Sequence, residues 1–238
     1  MPPVLKMMRP RLVSIARSET LARRAYAALR TSIRTGVLGA GTFYSEVQIA
    51  EELHISRTPV REALIELSRE GIIEIVPQRG FRLRTISEAQ MREVFELRGL
   101  IESYVVRRLA REASPVDVRR LRAILDRQAK LVGDPNAFLE IDEEFHLAMP
   151  TLLGLERTSE LLMTLRGIMW LSGSLAISRP QRVRAVLTEH REVLERIAAG
   201  DADRAAEAVR HHIAQTAKAA GATPPSVTAA RPRPARRR

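Results

Sequence analysis

The chain has 238 residues, no cysteine and a formal net charge of +11. That length holds one large domain or two modest ones, either able to bury an ordinary core. The missing thiols exclude disulfide scaffolds, cysteine zinc fingers and thiol catalysis, and they agree with a reducing compartment.

The charge is unevenly placed. Residues 1–86 carry 14 Lys/Arg against 8 Asp/Glu, residues 87–230 carry 20 of each, and the closing RPRPARRR adds five arginines. A basic front and a neutral body suggest a polyanion partner for the front, with a merely solvated surface as the plainer alternative. No apolar run approaches the roughly 20 residues of a membrane helix. Lys6, Arg9 and Arg11 interrupt the opening stretch, unlike a signal peptide. The expectation is a soluble, cytoplasmic protein without membrane contact.

Residues 1–18 read as a flexible basic arm. Thr20 caps a first helix whose Leu21, Ala25, Ala28, Leu29 and Ile33 recur at helical spacing up to Gly36. Ser45 with Gln48 has the capping-box pattern, opening a short helix with Ile49, Ala50 and Leu53 inward. Ser56 caps a third helix, with Val60, Ala63, Leu64 and Leu67 on the core side and an end near Gly71. IIEIV, PQRG and FRLR then read as strand, turn and strand over 72–84. Two short helices joined by ELHIS and followed by a hairpin make a winged helix-turn-helix, a double-stranded DNA reader, over 19–86. Its second helix turns Arg57, Thr58 and Arg61 outward, and Arg is suited to bidentate contact with guanine or phosphate. The hairpin tip Gln78-Arg79-Gly80 is basic, with a glycine that permits close backbone approach.

From Ser87 onward the pattern is all-helical. Periodicity predicts helices over 88–112, 116–132, 135–153, 157–177, 180–199 and 201–219, a bundle spanning 87–219. The segment 220–238, rich in Pro, Ala and Arg, reads as a disordered basic tail. The fold class is therefore mostly α: a winged helix-turn-helix followed by a helical bundle of six helices, or seven with a short one hidden.

Four of the five histidines lie in the bundle. Asp142 and His146 sit four apart beside the apolar face Phe138, Ile141, Phe145, Met149. His190 lies within the face Val183, Val186, Leu187, Leu194, Ile197, and His212 follows Ala205, Ala208 and Val209 on the last helix. His211 is rotated away by about 100° and is expected to be exposed. One carboxylate and three imidazoles from three helices thus point inward, a set that suits Zn²⁺, Ni²⁺ or Mn²⁺ with positions left for water or a ligand. An ordinary polar core is the competing account at this point, since a lone inward histidine is usually just satisfied. Arg98 also faces inward, among Val94, Leu97, Ile101 and Val105. It is either a clamp for a carboxylate or an internal ion pair with Glu102. Trp170, the only tryptophan, reads as core.

The stretch SEVQIAEELHISRTPVREALIELSREGIIEIVPQRGFRL resembles the DNA-binding domain of the GntR family of bacterial regulators. SRTPVREAL, followed by L-x-x-E-G-I and a wing ending in RG, carries the likeness over about residues 20–84. His54 departs from it, occupying a turn position where glycine is common. The resemblance implies DNA contact by Ser56, Arg57, Thr58, Arg61 and the wing at Arg79 and Gly80, and a dimer on a palindromic operator. Residues 88–217 resemble the FCD ligand-binding domain of the FadR-like branch, in its six-helix, VanR-type form. DEEFH and EHREVLERIAAGDADRAAEAVRHHI match that domain's metal-bearing segments. The metal set it implies is Asp142, His146, His190 and His212, with zinc first and nickel or manganese as alternates. The metal would help hold a small organic acid, with Arg98 as the effector-binding candidate.

The expectation is thus a homodimeric DNA-binding regulator, a repressor, under metabolite control, and not an enzyme. A metal-dependent hydrolase is the first alternative, but no motif supplies a general base and oxyanion stabiliser. An architectural DNA binder is the second, and it leaves a neutral bundle with inward polar groups unexplained.

Overall fold

The computed structural model describes residues 19–172 and 180–222. The expected basic arm, all but the start of the expected tail, and the end of the helix anticipated to 177 lie outside them. Among the described residues there are nine α-helices and one two-stranded sheet, in the order α1 (Leu21–Arg34), α2 (Glu46–Glu52), α3 (Arg57–Arg69), β1 (Ile73–Val76), β2 (Gly80–Leu83), α4 (Glu88–Glu112), α5 (Pro115–Ala129), α6 (Pro135–Leu152), α7 (Glu156–Met169), α8 (Pro180–Ala198) and α9 (Ala202–Ala219). A single 3-10 turn, Trp170–Ser172, follows α7. No helix among the described residues is long and apolar enough to cross a membrane.

The winged unit closes around Ala25, Tyr26, Leu29, Val60, Leu64, Leu67, Ile72 and Phe81. Leu21, expected inward, is 47 % exposed, and Tyr26 fills the core in its place. The Ser45 hydroxyl accepts from the Val47 amide at 3.2 Å, so the capping box with Gln48 does not form. Complete boxes form instead at Ser87–Gln90 and Ser114–Asp117, opening α4 and α5. The turn between α2 and α3 is a Schellman closure: the amide of Ile55 donates to Ala50 O and that of His54 to Glu51 O, both at 3.1 Å. It requires a left-handed residue, and His54 supplies it at φ 52°. A branched side chain would strain there; histidine tolerates the region better than most.

In the bundle, α4 runs along α9 and α9 along α8, while α5, α6 and α7 close the other side. The main core joins Phe95, Val105, Val106, Leu109, Leu121, Phe145, Met149, Leu194, Val209 and Ile213. Leu97, expected in this core, is 39 % exposed; Phe95 occupies the buried position.

A polar seam joins the two units. Arg30 of α1 stacks on the Trp170 ring at 4.1 Å and donates to Glu143 of α6 at 2.5 Å. Its other amino group donates to the Tyr26 hydroxyl at 3.1 Å, and that hydroxyl donates to Glu70 at 2.5 Å. Arg34 pairs with Glu140 one turn earlier on α6. Trp170 is therefore not bundle core: it is half-buried and packs against the winged unit. Gly167 of α7 completes the seam, because a Cβ there would stand 2.7 Å from Ile72 Cδ1.

Candidate functional site

Two sites emerge, one on the surface and one inside. On the surface, α3 presents Arg57, Thr58 and Arg61, all exposed, while Pro59, Val60, Ala63, Leu64 and Leu67 hold it to the core. Ser56, expected to cap the helix, precedes it in an exposed position, but its hydroxyl makes no capping bond. Both arginines lean on Glu46 of α2: Arg57 donates to it at 2.9 and 3.1 Å, and Arg61 lies 3.4 Å away. Their side chains stay 62 % and 67 % exposed, so the carboxylate orients them without hiding them. The wing folds beside this face, and a groove lined by Glu46, Arg57, Arg61, Gln78 and Arg79 lies between helix and hairpin. Arg79 is exposed at the tip, after Gln78 at φ 63°. Gly80 has a different reason for being glycine than the one the sequence suggests. A Cβ there would lie 2.1 Å from the Tyr44 carbonyl oxygen, and the wing is pinned by paired backbone bonds between Tyr44 and Phe81.

Inside the bundle, α6, α8 and α9 bring His146, His190 and His212 together, each buried, with ligand nitrogens within 4.8 Å of one another. Each ring is held by its Nδ1. Glu102 of α4 accepts from His146, Gln128 of α5 accepts from His190 at 2.9 Å, and Glu189 of α8 accepts from His212 at 2.7 Å. Carboxylate oxygens, and the amide oxygen of Gln128, accept, so these bonds place the protons on Nδ1 and leave the lone pairs on Nε2. Those nitrogens converge: His190 Nε2 and His212 Nε2 are 3.4 Å apart, and His146 Nε2 is buried with no hydrogen-bond partner. Lone pairs facing one another in a buried site are unfavourable unless a cation or a hydrogen-bond donor sits among them. Asp142, expected as a fourth ligand, lies beside the three-histidine group rather than within it, with one oxygen 3.5 Å from His190 Nε2 and the other bonded to Arg166 of α7.

The supporting shell is charged, with Arg98, Glu102 and Arg166 buried and Arg182 and Glu189 partly buried. Arg98 donates to Glu102 at 2.8 Å, and Arg182 grips Glu189 through two bonds of 2.5 and 2.9 Å. The ion pair that competed with the clamp for Arg98 is thus present, though the guanidinium also reaches Met169 Sδ at 3.0 Å. Arg166 keeps two buried N–H groups, Nε and Nη1, without a partner. Burial pushes the Asp142 carboxyl upward, but Arg166 and the neighbouring imidazoles outweigh it and hold the carboxyl well below its usual range. Burial likewise pushes His190 down to about 3, with His212 adding to the effect, and holds His146 well below an ordinary histidine. His146 and His190 are therefore neutral near pH 7, the form that ligates a metal.

Comparison with known proteins joins the two sites. Residues 21–83 match the family described as bacterial regulatory proteins, gntR family, and residues 93–215 match the FCD domain. The chain belongs to the GntR family, in its FCD-bearing branch. The Nta operon transcriptional regulator of Aminobacter aminovorans is 32 % identical over 64 % of this chain and 76 % of its own. The HTH-type transcriptional repressor RspR of Escherichia coli is 26 % identical over 80 % of this chain and 85 % of its own. Among solved structures, E. coli McbR/YncC superposes with a TM-score of 0.78 at 20 % identity, covering 86 % of this chain and 98 % of that one, a likeness of fold. This GntR/FCD protein is a DNA-binding transcriptional regulator and not an enzyme. Its winged domain implies DNA as partner and its FCD domain a small-molecule effector. FCD domains often hold metals, and this one has the three-histidine cluster for it.

Sequence reasoning on the regulator found the residues that face the centre and missed those behind them. Glu102 was named only as a pairing option for Arg98 and not as a partner of His146, and Gln128, Arg166, Glu189 and Arg182 were legible only as polar letters within apolar helical faces. Glu102 and Glu189 had a faint signal, since each is one residue from a position that the periodicity assigns to the core. Of the two remaining histidines, His211 is exposed, and His54 serves the turn.

Proposed function

We propose that this regulator is a homodimeric repressor that binds a palindromic operator through α3 and the wing, and leaves it when a small organic acid enters the bundle. The observation that carries the reading is the convergence of three Nε2 lone pairs, each fixed by its own Nδ1 partner, beside the Asp142 carboxylate. Asp142, His146, His190 and His212 are the residues that would hold a divalent metal, zinc before nickel or manganese. Such an ion offers open positions to an anionic oxygen of the effector.

The chain's own residues then do the selecting. Arg166 has two buried donors to spare beside the centre, and Arg98 lies behind it within the same charged cluster. Guanidinium donors of this kind favour a carboxylate over a neutral ligand. On the outer face, Ser56 and Thr58 suit phosphate, Arg57 and Arg61 suit phosphate or guanine edges, and Arg79 suits the backbone flanking the site. Repression follows from the likeness to RspR, which is described as a repressor. The test is a gel-shift titration with an inverted-repeat fragment from the gene's own upstream region, against a scrambled duplex. The expected result is at least a thousandfold preference, on the order typical of specific sites, abolished by one member of an organic-acid panel only when Zn²⁺ is present. Equal binding to both duplexes, or a release that needs no metal, overturns the reading.

A further inference from the structure

Two pairs of adjacent residues tie the histidine centre to the seam. On α6, Asp142 lies beside the histidines, while Glu143, about 100° further round the helix, holds Arg30 of the winged unit at 2.5 Å. On α7, Arg166 bonds Asp142, while Gly167, next in the chain, is the notch against Ile72. Asp142 thus has two claimants, Arg166 and the centre. A carboxylate that turns in toward the histidines loosens its hold on Arg166, and α6 and α7 then shift against each other. Close-packed interiors transmit such shifts, and the tight fit at Gly167 leaves this one little slack. Arg30 stands where the motion arrives, and it has two places to be. Its guanidinium stacks on Trp170 at 4.1 Å, and a single hydroxyl, that of Tyr26, links it to Glu70. Glu70 is only 8 % exposed, yet its Oε2 has no hydrogen-bond partner. A buried acceptor is costly to leave unmatched, and this one lies one group away from a half-buried arginine.

We propose that Arg30 is a two-position latch: it holds Glu143 while Asp142 is bound to Arg166, and passes to Glu70 when Asp142 turns toward the histidines. The inference rests on the metal reading above and names how the winged unit senses that centre. Exchanging one acid for another means the guanidinium is never left without a carboxylate, so neither position strands a buried charge. With the latch closed, α1 is tied to α6 at Arg30 and, one turn on, at the Arg34–Glu140 pair. With it open, the Arg34 pair is left to tie them, and its acid is 55 % exposed. The winged unit is then held less firmly against the bundle. Two arrangements biased from both ends are what coupling between distant sites requires.

Trp170 is the only tryptophan and its ring stacks with Arg30, so its emission reads the latch directly. The experiment titrates the full-length protein with Zn²⁺, an ion without redox chemistry, followed by Trp170 emission and by calorimetry. Circular dichroism confirms folding. Wild type is expected to show a saturable emission change whose midpoint matches the calorimetric one. Glu143→Gln removes the closed position. Its metal-free spectrum is expected to match that of Zn²⁺-loaded wild type, and Zn²⁺ is expected to bind it about fivefold tighter or more, because the cost of opening is gone. The sign separates the latch from simple electrostatics, since a carboxylate lost beside a cation otherwise weakens binding. Glu144→Gln removes the same charge from the next position, where it faces Arg127 of α5, and is expected not to tighten binding. Zn²⁺ that binds wild type without moving Trp170 emission overturns the latch and leaves the metal reading intact. So does a folded Glu143→Gln that binds Zn²⁺ no tighter than wild type. Zn²⁺ that does not bind at all overturns the metal reading, and the latch with it.

Discussion

The two halves of this regulator use arginine in opposite ways. On α3, Arg57 and Arg61 share one carboxylate and stay more than half in water, because a side chain that must meet a polyanion has to be available. In the bundle, Arg98, Arg166 and Arg182 are buried or nearly so, each against an acid that touches a histidine or a neighbour of one. Exposed ion pairs contribute about 0–1 kcal/mol and are readily exchanged. Buried ones do not stabilise so much as fix geometry, and breaking one leaves an uncompensated charge. The same residue is a contact in one half and a brace in the other.

That contrast can be broken most severely in the bundle. Glu102→Ala removes the partner of both Arg98 and His146 and is expected to cost about 3–5 kcal/mol, the range for orphaning a buried charge. Urea denaturation checks it, and a loss under 1 kcal/mol would show the network to be dispensable. Next comes metal. Zn²⁺ at a thousandfold excess over its dissociation constant is expected to stabilise the fold by about 4 kcal/mol, read as a rise in melting temperature that a chelator reverses. His212→Ala should abolish the shift and His211→Ala should leave it, since only His212 faces the cluster; equal effects would mean α9 is rotated from its described position.

On the outer face the effects move from stability to binding. Arg61→Ala is expected to leave the melting temperature within about 0.5 kcal/mol of wild type while weakening operator binding by about 1–3 kcal/mol per half-site. A folded variant with undiminished affinity would remove α3 from the interface. The smallest effect lies at the seam. Burial raises the Glu70 carboxyl above its ordinary value, against the pull of Tyr26 and Arg30. The native state therefore holds a proton that the unfolded chain releases near pH 4.5. Its contribution is fully present below that pH and is lost as pH rises through the raised value. Glu70→Gln should flatten this part of the stability profile, and an unchanged slope would exclude Glu70 as its source.

What could be read beforehand followed from periodicity. The six bundle helices fall within a few residues of where apolar spacing puts them, apart from the one expected to reach 177, because each buries one continuous face. The inward rotation of His146, His190 and His212 came from the same spacing. Their pairings did not (Glu102 was read only as a possible partner of Arg98), because a hydrogen bond between α4 and α6 depends on how helices cross, and periodicity on a single helix carries no such information. Leu97 and Leu21 failed for a related reason: a leucine in phase with a core face is still exposed where no neighbouring element covers that turn. Trp170 was misjudged because the seam between the two units leaves no periodic trace.

Gly80 carries a warning for genetics. A saturation screen scored on loss of regulation would return it beside Arg79, and the pair would read as one DNA-contacting tip. The glycine is instead a docking notch: its bare Cα admits the Tyr44 carbonyl, and any side chain would pry the hairpin off the segment that leads into α2. Alleles at 79 and 80 would therefore share a phenotype and differ in cause. An arginine lost at 79 changes what the wing touches, whereas a side chain gained at 80 changes where the wing is.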